Sequence, residues 1–489
     1  MTAPMKRTIL IYTGLLVFFG LVICLTLEWG QLSLQPNPVN QATAVADPGA
    51  STSSISNVSP WATLREKVEA PLGRLLLQFI VILGATQIVG AIFRKIRQPG
   101  VIGAMTAGIL LGPSLFGWLW PGAFNFVFAD SSLQTLRLFS QIGVCLFMFV
   151  VGMELELGHI RQNAHTAVVV SQASIIFPYF LGVLTAVWLY PSYAGSGATF
   201  VAFALFMGIA LSITAFPVLA RILEERGMTK SFLGITAIAC AAVNDATAWT
   251  ILAFVVAIAR AGSLVSTAVC LGLLALFVAV MVWVVRPRLG YWLGIHRMNN
   301  GEPSPVALPV VLIFMTASAL ATEAMGIHAL FGAFLAGVVM PRQKGFRDCV
   351  LSRLGNFSSL FLLPLFFAFS GLRTHVGLLS DATTWFVCLA IVCIATIGKG
   401  VGTMVSARLM GVKWNDAFAL GALMNTRGLV ELVALNIGYD LGILSPAIFA
   451  MLVLMALVTT FLAVPLLSLA EHVKRRTVIA VDAGAVSSV

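Results

Sequence analysis

The sequence predicts an all-α polytopic membrane protein, a 13-helix inverted repeat with an extra N-terminal hydrophobic segment. Three observations predict it. Only 10% of the 489 residues are charged and 59% are hydrophobic, for a mean hydropathy of +0.98. A water-soluble domain carries about 25% charge, so this chain cannot cover its own surface in water. Second, apolar runs near the length that crosses roughly 30 Å of hydrocarbon recur along the chain. Third, the two halves of the chain carry matching motifs in the same order. Wholesale disorder is excluded by the hydrophobicity, and the ten-residue alternation of a membrane barrel is missing from the sequence.

The N-terminal run, Thr8 to Leu27, leads into a Ser/Asn/Pro/Gly-rich stretch, Gln31 to Pro60, with too few apolar residues to pack. Residues 1–27 therefore form an anchor or a signal segment, and 28–73 a flexible extracytoplasmic loop. An anchor fits better than a cleaved signal peptide, because the run is long and no small-x-small site closely follows Leu27. Thirteen segments then span about 74–93, 99–118, 131–152, 165–190, 198–220, 231–259, 264–285, 306–325, 327–341, 357–372, 382–407, 414–437 and 444–468. Together they make a transmembrane unit over 74–470, with a short tail at 471–489. With the N-terminus cytoplasmic, 21 of the 29 Lys and Arg residues fall on the inner side. Both chain ends are then cytoplasmic, and a bacterial-type plasma (inner) membrane is the expected home. The net charge of +10 is explained by these loops, so no nucleic-acid partner is expected. Six of the seven cysteines lie inside apolar runs and none forms a C-x-x-C pair, so neither a disulfide framework nor a zinc site is indicated.

The repeat runs backwards. Ala107-Gly108 with Pro113 in segment 2 matches Ala336-Gly337 with Pro341 in segment 9. Leu146–Gly152 in segment 3 matches Leu365–Gly371 in segment 10. Segments 5 and 12 are interrupted at Thr214-Ala215-Phe216-Pro217 and Asn425-Thr426-Arg427-Gly428. Each pair is separated by seven segments, an odd number, so its members run in opposite directions. Such inverted repeats build many secondary transporters.

Polar residues inside the apolar runs mark the candidate site. Segment 6 is apolar except for Asn244-Asp245 near its middle. A carboxylate there costs about 2.5–3.5 kcal/mol on insertion scales and usually marks an ion or proton path. A carboxylate that merely bridges helices is the plainer alternative, but segment 6 offers no basic partner at i±3 or i±4. Pro217 breaks segment 5 around Thr214–Phe216, so freed carbonyls and the Ser212 and Thr214 hydroxyls could join Asp245 around a small cation. Lys399 lies deeper in segment 11 than a snorkelling lysine requires, either to balance the charge of Asp245 or to carry a proton. Arg427 and Glu431, spaced i, i+4 in segment 12, read as a structural pair beside the break at Gly428. Glu154 and Glu156 read as loop charges. Glu323 and His328 flank an outer turn, where a solvated histidine is the simpler reading and a pH sensor the sharper one.

The strings "RQPGVIGAMTAGILLGPSLFG", "LFMFVVGMELE", "ALSITAFPVLARIL", "AAVNDATAW", "EAMGIHALFGAFLAGVVMP", "LPLFFAFSGLRT" and "LMNTRGLVELVALNIG" resemble the monovalent cation:proton antiporters, in the branch that includes the plant-type cation/proton exchangers. The resemblance covers roughly residues 75–470. It implies a moving core domain (about 165–259 and 382–468) and a dimerisation scaffold (about 74–152 and 306–372), assembled as a homodimer. Asp245 would be the ion- and proton-binding carboxylate, Asn244 its polar neighbour, Thr214 part of the crossing and Lys399 the basic residue of segment 11. Electrogenic relatives often have two adjacent acids where this chain has Asn244-Asp245, which suggests one proton per cation and no net charge moved. About twenty residues after segment 13 are too few for the regulatory domain that some relatives carry.

The expected function is exchange of K⁺ or Na⁺ for H⁺ by alternating access in the lipid bilayer. No cofactor is expected, and no metal beyond the transported cation. Protonated, Asp245 is neutral and can cross; deprotonated, it must recruit a cation first. A ligand-gated cation channel is the alternative, against which stands the lack of a T-V-G-Y-G-type filter in the sequence. A membrane enzyme would need a nucleophile–base or metal-ligand constellation, and the sequence offers none.

Overall fold

Lipid offers backbone amides no hydrogen-bond partner, so an apolar run that crosses it must close its own bonds as a helix. The computed structural model describes residue 21 and residues 67–96, 98–154, 164–260, 264–293 and 307–486. The hydrophobic segment 1–27 and most of the 28–73 loop, with Glu156, lie outside the described residues.

The helices are α1 (Pro71–Lys95), α2 (Gly100–Leu111), α3 (Asp130–Glu154), α4 (Ala164–Tyr193), α5 (Phe200–Ser212), α6 (Phe216–Glu225), α7 (Phe232–Arg260) and α8 (Leu264–Ala279). They continue as α9 (Ala307–Ala324), α10 (Ala329–Val338), α11 (Leu363–Leu372), α12 (Ala382–Leu409), α13 (Trp414–Met424), α14 (Leu429–Asp440) and α15 (Pro446–Val486). Eleven spans among the described residues are long and apolar enough to cross a membrane; α5 with α6 makes one of them. The pair α13–α14, bent by 44°, makes a twelfth, and the short α10 accounts for the remaining sequence segment. All thirteen expected segments therefore have a helical counterpart. The boundaries differ most at segment 13, whose helix α15 runs on to Val486, and at segment 10, where the helical stretch runs over Gly345–Leu378 and includes π-helical turns at Leu351–Gly355 and Ser358–Leu362.

The helices pack in two groups. One contains α1–α3, α9, α10 and α11; the other contains α4–α7 and α12–α15. α8, with only 6% of its most apolar window buried, runs between them. Within the first group, Gly108 of α2 sits against Gly371 of α11, and Gly152 of α3 sits against Gly337 of α10. A Cβ on any of the four would overlap a facing backbone. These are the residues that matched between the two halves of the sequence. Exchanging the halves turns one glycine contact into the other, so the repeat is expressed in packing as well as in order. Close backbone approach through small residues is the usual means of helix association where no water drives it.

A methyl group in either seam is expected to lower stability by about 1–3 kcal/mol. Gly371→Ala and Gly337→Ala should reduce the thermal midpoint of the detergent-purified protein. Gly272→Ala, at a position with open space around it, should not; equal midpoints for all three would show that the seams are not tight.

Candidate ion-binding site

The site is built where two helices stop and restart inside the bundle. α5 ends at Ser212, Ile213–Ala215 are non-helical, and α6 starts at Phe216 with Pro217 in its first turn. Proline is tolerated there because that N–H would have no helical partner in any case. α13 ends at Met424, and α14 restarts after Gly428. The two interruptions cross: the Ala215 N–H donates to the Thr426 carbonyl at 2.9 Å, and the Thr214 hydroxyl donates to the Met424 carbonyl at 2.9 Å. Gly428 permits the approach, since a Cβ there would come within 2.8 Å of Val218 and 3.3 Å of Ala215.

A broken helix leaves its last carbonyls without partners. Here two buried cations take them. Arg427 donates to the Ala210 carbonyl at 2.6 Å and to the Leu211 carbonyl at 2.8 Å, while the Lys399 ammonium donates to the Ser212 carbonyl. Both charges also sit at the negative end of the α5 dipole. Arg427 in turn meets Glu431 at 3.2 Å, with both side chains fully buried. Its backbone is tied to Thr460 of α15: the Arg427 N–H donates to the Thr460 hydroxyl at 2.8 Å, and that hydroxyl lies 2.9 Å from the Arg427 carbonyl.

Asn244 and Asp245 are fully buried on α7. Asn244 accepts the Thr214 N–H at 3.0 Å and donates to the Ser174 hydroxyl of α4 at 3.1 Å. Asp245 is different. Both of its carboxylate oxygens are buried and accept no hydrogen bond of regular geometry, although the first N–H of α6, on Phe216, is close enough to act on it. Lys399 lies within electrostatic reach of Asp245, Arg427 and Glu431. Ionised together, their charges sum to zero.

The expected site residues thus meet around one crossing, with changes of partner. The carbonyls freed at the end of α5, those of Ala210, Leu211 and Ser212, already accept from Arg427 and Lys399. The Ser212 hydroxyl turns back to the Ile209 carbonyl at 3.1 Å. A hydroxyl that donates its hydrogen in this way keeps lone pairs to offer a cation, and the same holds for Thr214. Lys399 engages backbone rather than forming an ion pair with Asp245. Ser174 and Thr460 had no signal in the sequence, because single hydroxyl residues are ordinary in membrane helices. His328 is not a free loop histidine: its Nδ1 lies 3.5 Å from the Leu330 N–H at the start of α10, and Glu323 accepts the Ala329 N–H at 2.8 Å.

The chain matches the family described as sodium/hydrogen exchanger, transmembrane, over residues 75–469. It is 40% identical to the Na(+)/H(+) antiporter NhaS4 of Synechocystis over 80% of this chain and 96% of that protein. It is 39% identical to cation/H(+) antiporter 17 of Arabidopsis thaliana over 82% of this chain and 48% of that protein, and 34% identical to the K(+)/H(+) antiporter 1 of Saccharomyces cerevisiae over 85% and 48%. The chain therefore spans about half the length of the plant and yeast relatives. Its fold resembles that of the sodium proton antiporter MjNhaP1 from Methanocaldococcus jannaschii, with a TM-score of 0.55 at 15% identity, covering 80% of this chain and 96% of that one. The chain belongs to the sodium/hydrogen exchanger family and is a multi-pass integral membrane protein.

Removing Arg427 would strand Glu431 and two helix-end carbonyls in the interior, a loss of about 3–5 kcal/mol. Arg427→Leu is expected to lower the thermal midpoint sharply. Glu431→Gln, which leaves Arg427 on its carbonyls, is expected to lower it far less. Similar losses in both variants would mean that the ion pair, and not the carbonyl capping, dominates.

Proposed function

We propose that this chain is a secondary active transporter that exchanges K⁺ or Na⁺ for H⁺, with Asp245 occupied in turn by cation and proton. The observation that carries this reading is the Asp245 carboxylate, buried with both oxygens unpartnered. An isolated buried charge is costly, and protonation or a bound cation each removes that cost. A carboxylate already closed into a fixed ion pair would need neither.

The neighbouring groups have distinct parts in this reading. Asn244 holds the Thr214 backbone and so keeps the unwound stretch beside Asp245. The Thr214 and Ser212 hydroxyls add oxygens to the cation's shell. Lys399 and Arg427 neutralise the end of α5, and the charge of Lys399 favours the ionised carboxylate after its proton leaves. The helix group α4–α7 with α12–α15 is the moving core, and the group α1–α3 with α9–α11 is the scaffold through which two copies form a homodimer. Rocking of one against the other exposes the site to each side in turn. Both chain ends face the cytoplasm of a bacterial-type inner membrane. One carboxylate carrying one proton or one cation makes the exchange electroneutral.

Asp245→Asn is expected to abolish cation-dependent proton flux in proteoliposomes while leaving the chromatographic profile and thermal midpoint of a folded protein. Full flux in that variant would end the reading. For the wild-type protein, clamping the membrane potential at different values is expected to leave the exchange rate unchanged. A rate that climbs steeply with potential would rule out one-for-one exchange.

A further inference from the structure

The two helix groups meet through a set of polar contacts gathered at one end of the molecule, the end that holds Arg260, Arg373 and Asp440. Asp440, the last residue of α14, pairs with Arg373 at 2.7 Å and with Arg137 of α3 at 3.1 Å. Arg373 follows α11, so both arginines belong to the group opposite Asp440. Arg373 also donates to the Asn436 side chain at 3.2 Å, and Asn436 donates to the Ser370 hydroxyl at 2.8 Å. Two rings flank the Arg373 guanidinium: Phe369 at 4.3 Å and Tyr439 at 5.3 Å. At the same end, Arg260 of α7 reaches across to the Gly326 carbonyl at 2.9 Å.

Aromatic rings also bridge the two groups one helical turn from Asp245. Trp249 lies one turn beyond Asp245 on α7, toward Arg260, and is 2% exposed. Its ring meets Phe331 at 5.4 Å and Phe334 at 5.9 Å, both on α10 of the opposite group. Beside Asp440 and Asn436 lies a cavity of about 30 Å³, lined by Gln141, Val144 and His328 among others. That is room for about one water, not for a hydrated cation.

We propose that Asp440, gripped by Arg137 and Arg373, is the hub of a latch that holds the two helix groups together at this end, with Trp249 and its two phenylalanines as the seal beneath. Opening this side separates Asp440 from both arginines and Asn436 from Ser370, and slides Trp249 off α10. Closing it restores the same contacts. The inference rests on the alternating-access reading above and adds which contacts close one side.

The test fastens the latch covalently. Ser370→Cys and Asn436→Cys are introduced into full-length protein whose native cysteines are replaced, reconstituted in proteoliposomes and joined by a short thiol-reactive cross-linker. Exchange is expected to fall by about ten-fold or more and to return on cleavage of the link by reductant, as expected if opening requires the contacts to part. A control link between Ser114→Cys and Thr374→Cys joins two positions of one group, where the Ser114 hydroxyl donates to the Thr374 carbonyl at 2.7 Å, and is expected to leave exchange unchanged. In a second measurement, Asp440→Asn is expected to raise by about ten-fold the rate at which a membrane-impermeant maleimide labels Phe331→Cys. A purely structural role for Asp440 would lower stability without changing that rate. Undiminished exchange in the Ser370–Asn436 cross-linked protein, or equal labelling in both backgrounds, overturns the latch. Either result leaves the Asp245 reading intact, because that reading fails only if Asp245→Asn still exchanges.

Discussion

The structure depends on how two interrupted helices are kept inside a bundle that offers their backbones no water. Stopping α5 at Ser212 exposes carbonyls that must be satisfied in place. Arg427 takes two of them and Lys399 the next. The capping groups come from α12 and from the interrupted stretch between α13 and α14, so each helix break stabilises its counterpart. The chain can leave its backbone unwound at mid-membrane because these cations are there. In turn, they can be buried because the helix end gives them a partner of opposite partial charge.

This arrangement has a consequence for the carboxylate. A buried lysine and a buried aspartate within electrostatic reach would be expected to close on each other, and a closed pair leaves no role for a mobile cation. With Lys399 engaged by the Ser212 carbonyl, its charge acts on Asp245 through space while both carboxylate oxygens stay unpartnered. Asn244 contributes in the same direction. By accepting the Thr214 N–H and donating to Ser174, it fixes the unwound stretch without using a lone pair of its neighbour. The frame of the site is polar, and its own hydrogen bonds leave the carboxylate at its centre largely unused.

Much of this was legible in the sequence, for identifiable reasons. Pro217 marks a break because its ring and missing N–H act locally, and the non-helical residues fall at Ile213–Ala215. Asn244-Asp245 stands out because no other ionisable or amide side chain occupies the middle of its segment. The four matched glycines carried more than order: they are the places where backbones touch. What the sequence could not convey is contact between residues far apart in the chain. Arg427 reads as half of an i, i+4 pair, and that pair exists, but its two shortest bonds go to carbonyls 216 and 217 residues away. A backbone acceptor has no residue type, so no pattern announces it. The pairing of Arg137 and Arg373 carries no motif in the sequence, because Asp440, their common partner, sits far along the chain at the end of α14.

The two kinds of interface suit different tasks. Within each group, backbones approach through glycine, as at Gly152–Gly337 and at Gly182, whose Cβ would come within 2.7 Å of Gly208. Such seams have one good register, and shifting them would force overlap. Between the groups, at the Asp440 end, the contacts are aromatic edges and ion pairs whose members are 15–42% exposed. Partly solvated pairs of this kind contribute about 1 kcal/mol each or less, and flat rings can part and meet again without a change of rotamer in the rest of the bundle. A few such contacts shift the balance between two arrangements by about ten-fold to a hundred-fold, since about 1.4 kcal/mol is one factor of ten. That is enough to favour the closed state and too little to trap it. A transporter whose two bodies were joined by glycine seams would be locked, and one built internally from exposed ion pairs would not move as a body. The distribution of small residues, rings and charges therefore fits the proposed motion of one group against the other.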